Sequence, residues 1–276
     1  MVLTETGYAK VNLALHVRAR RPDGYHELES LFVFCADGDR LAAEPRGDGV
    51  LTLAIDGPFA GALAADDDNL VLRAARALRA AAGSGEGASL RLTKALPIAS
   101  GIGGGSADAA AALRLLPRLW ALRPGDADLA ALAAGLGADV PACLGSTSVF
   151  GTGVGERLAA VPPGLEGLPI LLVNPLVPCP TGPVFRGWDG VDRGPLSPGQ
   201  WRAGRNDLQP SALALVPRIG GVLDALGALP GATLVRMSGS GATCFALFAD
   251  EGARDAGAAA ISAAHPGWWT LASRIR

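Results

Sequence analysis

The first alternating run of the chain, "YAKVNLALHV", puts Ala9, Val11, Leu13, Leu15 and Val17 on one side and Tyr8, Lys10, Asn12 and His16 on the other. A period of two over this length predicts a strand with one apolar and one polar face. Pro22, Asp23 and Gly24 in "RRPDGYHEL" predict a turn, after which "LFVFCA", "DRLAAEP" and "VLTLAI" read as three further strands. "NLVLRAARALRAAAG" has helical composition, with Asp68 as the expected cap and Gly83 as the stop, and "SLRLTK" returns to strand. Beyond a cluster of glycines, "SADAAAALRLL" predicts an alanine-rich helix halted by Pro117. "DADLAALAAGLG" predicts another, capped near Asp126 and ended by Gly137, and a short helix is expected to begin between Asp139 and Pro141.

The second half has a different rhythm. "PILLVNP" reads as strand, "TGPVFRGW" and "NDLQPSALALVPRIGGVLDAL" as helices, "ATLVRM" and "TCFALFA" as strands around "SGSG", "EGARDAGAAAISAAH" as helix and "WWTLASRIR" as strand. From residue 169 this order is the split arrangement of a ferredoxin-like sandwich. The Pro/Gly-rich "VPPGLEGLP" is the expected linker, which divides the chain into domains over 1–160 and 161–276.

Composition narrows the function classes. The 276 residues are 49% apolar, enough for two modest domains or one large one. No stretch approaches the ~20 apolar residues of a membrane span. Glu5 comes early and the apolar stretch from Val11 to Leu15 is too short for a signal peptide, so a soluble, cytoplasmic protein is expected. Cys35, Cys143, Cys179 and Cys244 stand singly and read as reduced, buried thiols. A net charge of -2, with one short basic cluster at Arg18, Arg20 and Arg21, gives little footprint for nucleic acid. Small-molecule chemistry is the expectation.

The candidate chemistry centres on "PIASGIGGGSAD". A dinucleotide fingerprint fails because Ser106 stands where its third glycine belongs, and a Walker loop fails because no lysine follows the last glycine. What remains for a phosphate is backbone N–H groups, the Ser106 hydroxyl and a helix dipole worth about half a unit charge. The competing reading is a glycine turn that only permits close helix packing. Taken singly, other residues also have plain readings: Lys10 as a solvated strand lysine, Asp139 as a helix cap, Asp66 to Asp68 as a solvated acidic turn, His26 as a surface turn residue, Phe185 as core, His16 and His265 as structural.

In combination, "GIGGGSADAA", Lys10 and Asn12 on one strand face and "GADVP" resemble the GHMP kinases, whose phosphate loop carries no Walker lysine. The blocks "AKVNLALHVRARRPDGYHELESLFVF", "LPIASGIGGGSADAA", "GADVPACL", "GTGVGERL", "RNDLQP" and "MSGSGATCFALF" follow in family order across nearly the whole chain. "RRPDGYHEL" resembles the branch that acts on 4-diphosphocytidyl-2-C-methyl-D-erythritol in non-mevalonate isoprenoid synthesis. The chain has Ser-Ala-Asp after its glycines where many relatives have Ser-Ser-Asn.

The resemblance implies an α+β, two-domain fold: an N-terminal domain like the second domain of ribosomal protein S5, and a C-terminal ferredoxin-like sandwich. It implies an ATP-dependent kinase that phosphorylates the 2-hydroxyl of the methylerythritol moiety. Asp139 and Lys10 are the implied catalytic residues. Pro97, Ser100, Gly101, Gly103, Gly104, Gly105 and Ser106 are implied to hold ATP, with Asn69 and Lys94 near the adenine. Asn12, Tyr25, His26 and Phe185 are implied to bind the cytidyl substrate. Mg2+ is expected to be held mainly through phosphate oxygens, with no protein ligand named. The partners expected are these small molecules, with no nucleic acid or membrane and a monomer or homodimer. A homoserine, mevalonate or sugar kinase of the same superfamily stays open as the alternative, whereas a nucleotide-binding regulator without catalysis is disfavoured by the intact Lys10 and Asp139.

Overall fold

The structure, a computed structural model, describes residues 1–66 and 68–276, without the side chains of Ala62, Asp126 and Ala127; the central member of the expected acidic turn, Asp67, lies outside the described residues. Contacts group the chain into two compact units, one made of residues 1–9, 37–98 and 103–146 and the other of 10–36, 99–102 and 147–276. This interleaving differs from a single cut at residue 160. The expected linker is packed into the second unit instead: Leu165 is buried, the Gly167 N–H donates to the Ile275 carbonyl at 2.8 Å, and the Ile275 N–H to the Leu168 carbonyl at 3.0 Å.

The interleaving begins with two long strands, β1 (Leu3–Arg20) and β2 (His26–Arg46), which pair with each other. The predicted turn joins them, closed by the Arg21 N–H on the Tyr25 carbonyl at 2.8 Å, with Gly24 at φ +87°. β2 runs unbroken through Asp37, Gly38 and Asp39, where the sequence suggested two strands. Gly38 does not end the strand. A Cβ there would lie 2.0 Å from the Gly7 carbonyl oxygen, so glycine serves the close approach of the two backbones.

In the first unit, residues 40–46 of β2 pair antiparallel with β4 (Gly87–Thr93), which pairs parallel with β3 (Leu51–Asp56). The α-helices of this unit among the described residues are α1 (Leu70–Ala81), α2 (Gly104–Leu119), α3 (Asp126–Leu136) and α4 (Val140–Gly145). Val71, Leu72, Ala74, Ala75 and Leu78 form the buried stripe of α1, which packs on α2. The cap of α1 is Asn69, one residue later than Asp68; its Oδ1 accepts from the Val71 N–H at 3.0 Å. Ala107 and Ala109 to Ala112 are all buried in α2, where small side chains let neighbouring elements close in. Pro117 lies inside the last turn of α2 rather than ending it, so the helix runs on to Leu119. The N-cap of α3 is Gly125, whose N–H donates to the Asp128 carboxylate at 3.1 Å, and Gly137 closes this helix as expected.

In the second unit, residues 28–32 of β2 pair with β5 (Val149–Gly153), and β5 with β6 (Arg157–Ala160). Alternation did not reveal this hairpin, because Gly151, Gly153 and Gly155 interrupt its apolar rhythm. The predicted sandwich follows. Strands β7 (Pro169–Asn174), β8 (Ala232–Met237), β9 (Cys244–Phe248) and β10 (Trp269–Arg274) form an antiparallel sheet in the order β10-β7-β9-β8. Helices α5 (Thr181–Arg186), α6 (Gln209–Leu215), α7 (Arg218–Gly227) and α8 (Glu251–Ala264) accompany it, and Leu171, Val173, Val222, Phe248 and Ile261 share its core. The four cysteines are buried and form no disulfide. Among the described residues, no helix is long and apolar enough to cross a membrane.

Candidate active site

In the first unit the site is built around the start of α2. Gly103 holds the left-handed conformation at the N-cap, φ 64°, and no side chain caps the helix. The N–H groups of the first turn therefore have no partner from their own helix. The glycines of this turn differ in their surroundings. A Cβ on Gly104 would lie 3.3 Å from Lys94 Nζ, so packing accounts for glycine there. A Cβ on the exposed Gly105 would meet only Leu70 Cδ1, at an ordinary 3.5 Å. Packing does not require glycine at 105, although a helical glycine costs about 1 kcal/mol relative to alanine. Ser106 follows, half-buried, and Pro97 is buried at the opposite end of the loop.

Lys94 and Asn69 have structural duties that residue type did not reveal. The Lys94 ammonium is 2% exposed, paired with Asp39 and 2.8 Å from Asp108 Oδ2. Asp39 also accepts from the Ala95 and Leu96 N–H groups, at 2.7 and 2.9 Å. Burial pushes the Asp108 carboxyl up to about 7; Lys94 opposes the rise and Asp39 adds to it. Burial also lowers the Lys94 ammonium, but the two carboxylates outweigh it and hold the group above its ordinary value. Asn69, besides capping α1, donates through Nδ2 to the Ala64 carbonyl at 3.1 Å. Asp139 stands at the N-cap position of α4, yet its side chain makes no hydrogen bond to that helix. The capping reading of Asp139 therefore lacks its defining contact.

In the second unit, the polar face of β1 is interior. Lys10, Asn12 and His16 are 4%, 2% and 3% exposed, so Lys10 is not a solvated lysine. Its backbone N–H donates to the Ile102 carbonyl at 3.0 Å, and its ammonium lies 4.6 Å from the centre of the Phe32 ring. The Asn12 N–H donates to Ser238 Oγ at 3.1 Å, and its Nδ2 to Ser30 Oγ at 2.7 Å. Asn12 Oδ1 is buried with no hydrogen-bond partner.

The Ser238 hydroxyl donates on to the Gly101 carbonyl at 2.9 Å, and the Thr243 N–H to the Ser100 carbonyl at 3.1 Å. Gly101 has φ +77°, and a Cβ there would lie 2.5 Å from the Ser238 carbonyl oxygen. The segment 238–243 thus braces residues 100–102. The sequence marked it only as glycines and serines between two strands.

At the far end of β1, the His26 ring lies 5.2 Å from Phe185 and meets Trp188 edge-on at 5.7 Å. Arg20 Nε donates to His26 Nε2 at 3.4 Å, and burial followed by the Arg20 charge lowers the imidazole's pKa. With Nε2 accepting from Arg20, the ring N–H left to donate is Nδ1. Phe185 is half-buried against the core of this unit, whereas Tyr25 is 62% exposed on the turn. Trp188 was not legible in advance; it is 6% exposed with its Nε1–H unpartnered. His16 is structural, as expected: Nδ1 meets the Gly194 carbonyl at 3.1 Å and Nε2 accepts from the Arg205 N–H at 3.2 Å. His265 stacks on Trp268 at 3.8 Å.

Among the described residues, no group of three His, Cys, Asp or Glu side chains is placed to hold a metal ion.

Residues 69–146 match the family described as GHMP kinases N terminal domain, and residues 196–267 match GHMP kinases C terminal. The chain is 56% identical to the 4-diphosphocytidyl-2-C-methyl-D-erythritol kinase of Rhizorhabdus wittichii, over 99% of this chain and 94% of that one. It is 54% identical to the enzyme of the same name from Sphingopyxis alaskensis, over 99% of each. A crystal structure of 4-(cytidine 5'-diphospho)-2C-methyl-D-erythritol kinase superposes with a TM-score of 0.83 at 36% identity, covering 99% of both chains. The homoserine kinase of Cytophaga hutchinsonii, at TM-score 0.74 and 17% identity, shares the fold.

Proposed function

Since the chain belongs to the 4-diphosphocytidyl-2-C-methyl-D-erythritol kinases of the GHMP family, we propose that it transfers the γ-phosphoryl group of ATP to the 2-hydroxyl of that substrate, in the cytoplasm, as a step of non-mevalonate isoprenoid synthesis. The observation that carries the ATP half is Gly105: it is exposed in the first turn of α2, with no packing reason to be glycine. A backbone approached by a phosphate supplies the reason, and the first-turn N–H groups, the Ser106 hydroxyl and the helix dipole supply the attraction. The adenine falls to the chain around Asn69 and Lys94, which contributes shape, since both side chains are engaged elsewhere.

Phosphoryl transfer asks mainly for positioning and charge stabilisation. Asp139 accepts the proton of the 2-hydroxyl as the oxygen bonds to the γ-phosphorus and the bond to the β-phosphate oxygen breaks, releasing ADP. Lys10 offers its positive charge to the transferring oxygens. Mg2+ supplies further charge neutralisation when bound with ATP. Asn12 Oδ1, an acceptor that costs about 1–3 kcal/mol to leave buried and unpaired, receives a hydroxyl of the acceptor substrate. Phe185 and His26 take the cytosine, the ring by stacking and the imidazole by donation from Nδ1, with the exposed Tyr25 closing over it.

A coupled ADP-release assay tests the assignment by offering the cytidyl substrate beside mevalonate, homoserine and galactose. Only the first is expected to release ADP at a useful rate. Preference for any other acceptor would overturn the assignment.

A further inference from the structure

The glycine loop is a stretch of chain with unusual backbone freedom, and its two ends meet at a buried cluster of charge. Lys94 follows β4, where its N–H donates to the Asp56 carbonyl at 2.8 Å. Asp39, reaching over from β2, takes the next two amides of the chain, those of Ala95 and Leu96, on one oxygen and the Lys94 ammonium on the other. The same ammonium binds Asp108 Oδ2 at 2.8 Å, and Asp108 lies one turn after Gly104 on the same face of α2. Gly104 completes the fit, since a Cβ there would press on Lys94 Nζ at 3.3 Å. One ammonium thus joins the chain that enters the loop to the helix that leaves it.

We propose that Asp39, Lys94 and Asp108 are positioning residues that clasp the two ends of the glycine loop and so fix where the N–H groups of the first turn of α2 meet the ATP phosphates. This rests on the reading of that turn as the ATP site. The clasp is stiff because of its chemistry. Opening the Asp39 end leaves the buried ammonium without that counter-charge, and opening the Asp108 end leaves a buried carboxyl without its donor, whereas an apolar contact would slide. Glycines supply no such restraint. A phosphate cradle displaced by about 1 Å can lose about a hundredfold in rate, so a loop made of glycines gains from anchors at both ends.

The test compares Asp108→Ala, which removes the helix side of the clasp and leaves the Lys94–Asp39 pair, with Asp108→Asn, whose amide oxygen still accepts from the ammonium. Both are checked by circular dichroism and thermal melting, and KM is measured for ATP and for the cytidyl substrate. Asp108→Ala is expected to raise the KM for ATP about tenfold or more while moving that for the cytidyl substrate less than about twofold, and Asp108→Asn to restore the ATP value to within about threefold. A purely structural role would move both constants together. Gly105→Val separates this idea from the one beneath it. If Gly105→Val leaves ATP binding intact, the ATP site is misplaced. If Gly105→Val weakens it and a folded Asp108→Ala does not, the clasp is wrong.

Should Asp108→Ala fail to fold, hydrogen exchange on the wild-type chain decides. The amides of Ala95, Leu96 and Ala107 are expected to open together, with protection equal to within about threefold. Independent opening of the two ends would overturn the clasp.

Discussion

The charge balance of the Asp39, Lys94 and Asp108 cluster makes a quantitative prediction about stability. One cation faces two carboxylates in a site closed to water, and the Asp108 carboxyl is raised to about 7 by burial first and by Asp39 second, against the pull of Lys94. Asp108 Oδ1, close to the Gly7 and Ala107 backbone, has no hydrogen-bond partner, so nothing else on that side stabilises the anion. Because the folded value lies above the unfolded one of about 4, the folded state keeps a proton that the unfolded chain has lost. The associated stability is fully present below pH ~4 and is lost as pH rises through ~7. Asparagine has the same shape and cannot ionise. The stability of Asp108→Asn relative to wild type should therefore climb by about 1.4 kcal/mol per pH unit between about pH 5 and 7, roughly 3 kcal/mol in all, and level off above. The proton belongs to the coupled carboxylates, so a shift of the plateau by a unit is compatible with this and a missing slope is not. Urea unfolding of both proteins across this range, without nucleotide, measures it. A difference that stays constant with pH would show that Asp108 is ionised throughout and would refute the reasoning.

Asp139→Asn keeps shape but removes the proton acceptor, so kcat in single-turnover transfer should fall about 10²–10⁴-fold. Near-normal turnover in the folded variant would remove it from the mechanism. Phe185→Ala should raise the KM for the cytidyl substrate by about 5- to 150-fold, the equivalent of 1–3 kcal/mol of stacking, with the KM for ATP unchanged. Equal effects on both constants would make Phe185 core alone.

Most of the strands and helices were legible because each obeys a local rule. The ferredoxin-like order of the second half followed from alternation and helical composition alone, and Gly83 and Gly137 marked helix ends where they fell. Local rules failed where a distant residue decides the outcome. Gly38 looks like a turn residue, but Gly7 approaches it from another strand, so β2 stays whole. Lys10 has the composition of a surface lysine until the burial of both faces of β1 is known.

The same distinction runs through the site. Its residue types and the glycine loop stand in the sequence, and their resemblance to a family gave the chemistry. The roles of Lys94 and of the 238–243 segment did not. An ion pair between residues 39, 94 and 108 and a brace from 238 to 101 are long-range facts that no spacing encodes.

The interleaved order of the two units also matters while the chain is being made. Residues 10–36 belong with 147–276, and the chain passes between units after residues 9, 36, 98, 102 and 146. A ribosome adding about 5–20 residues per second releases the first strands of the second unit on the order of ten seconds before most of their partners exist. During that interval β1 and its burial-bound Lys10, Asn12 and His16 have no finished interior to enter. No gene fragment cut at one point encodes either unit whole.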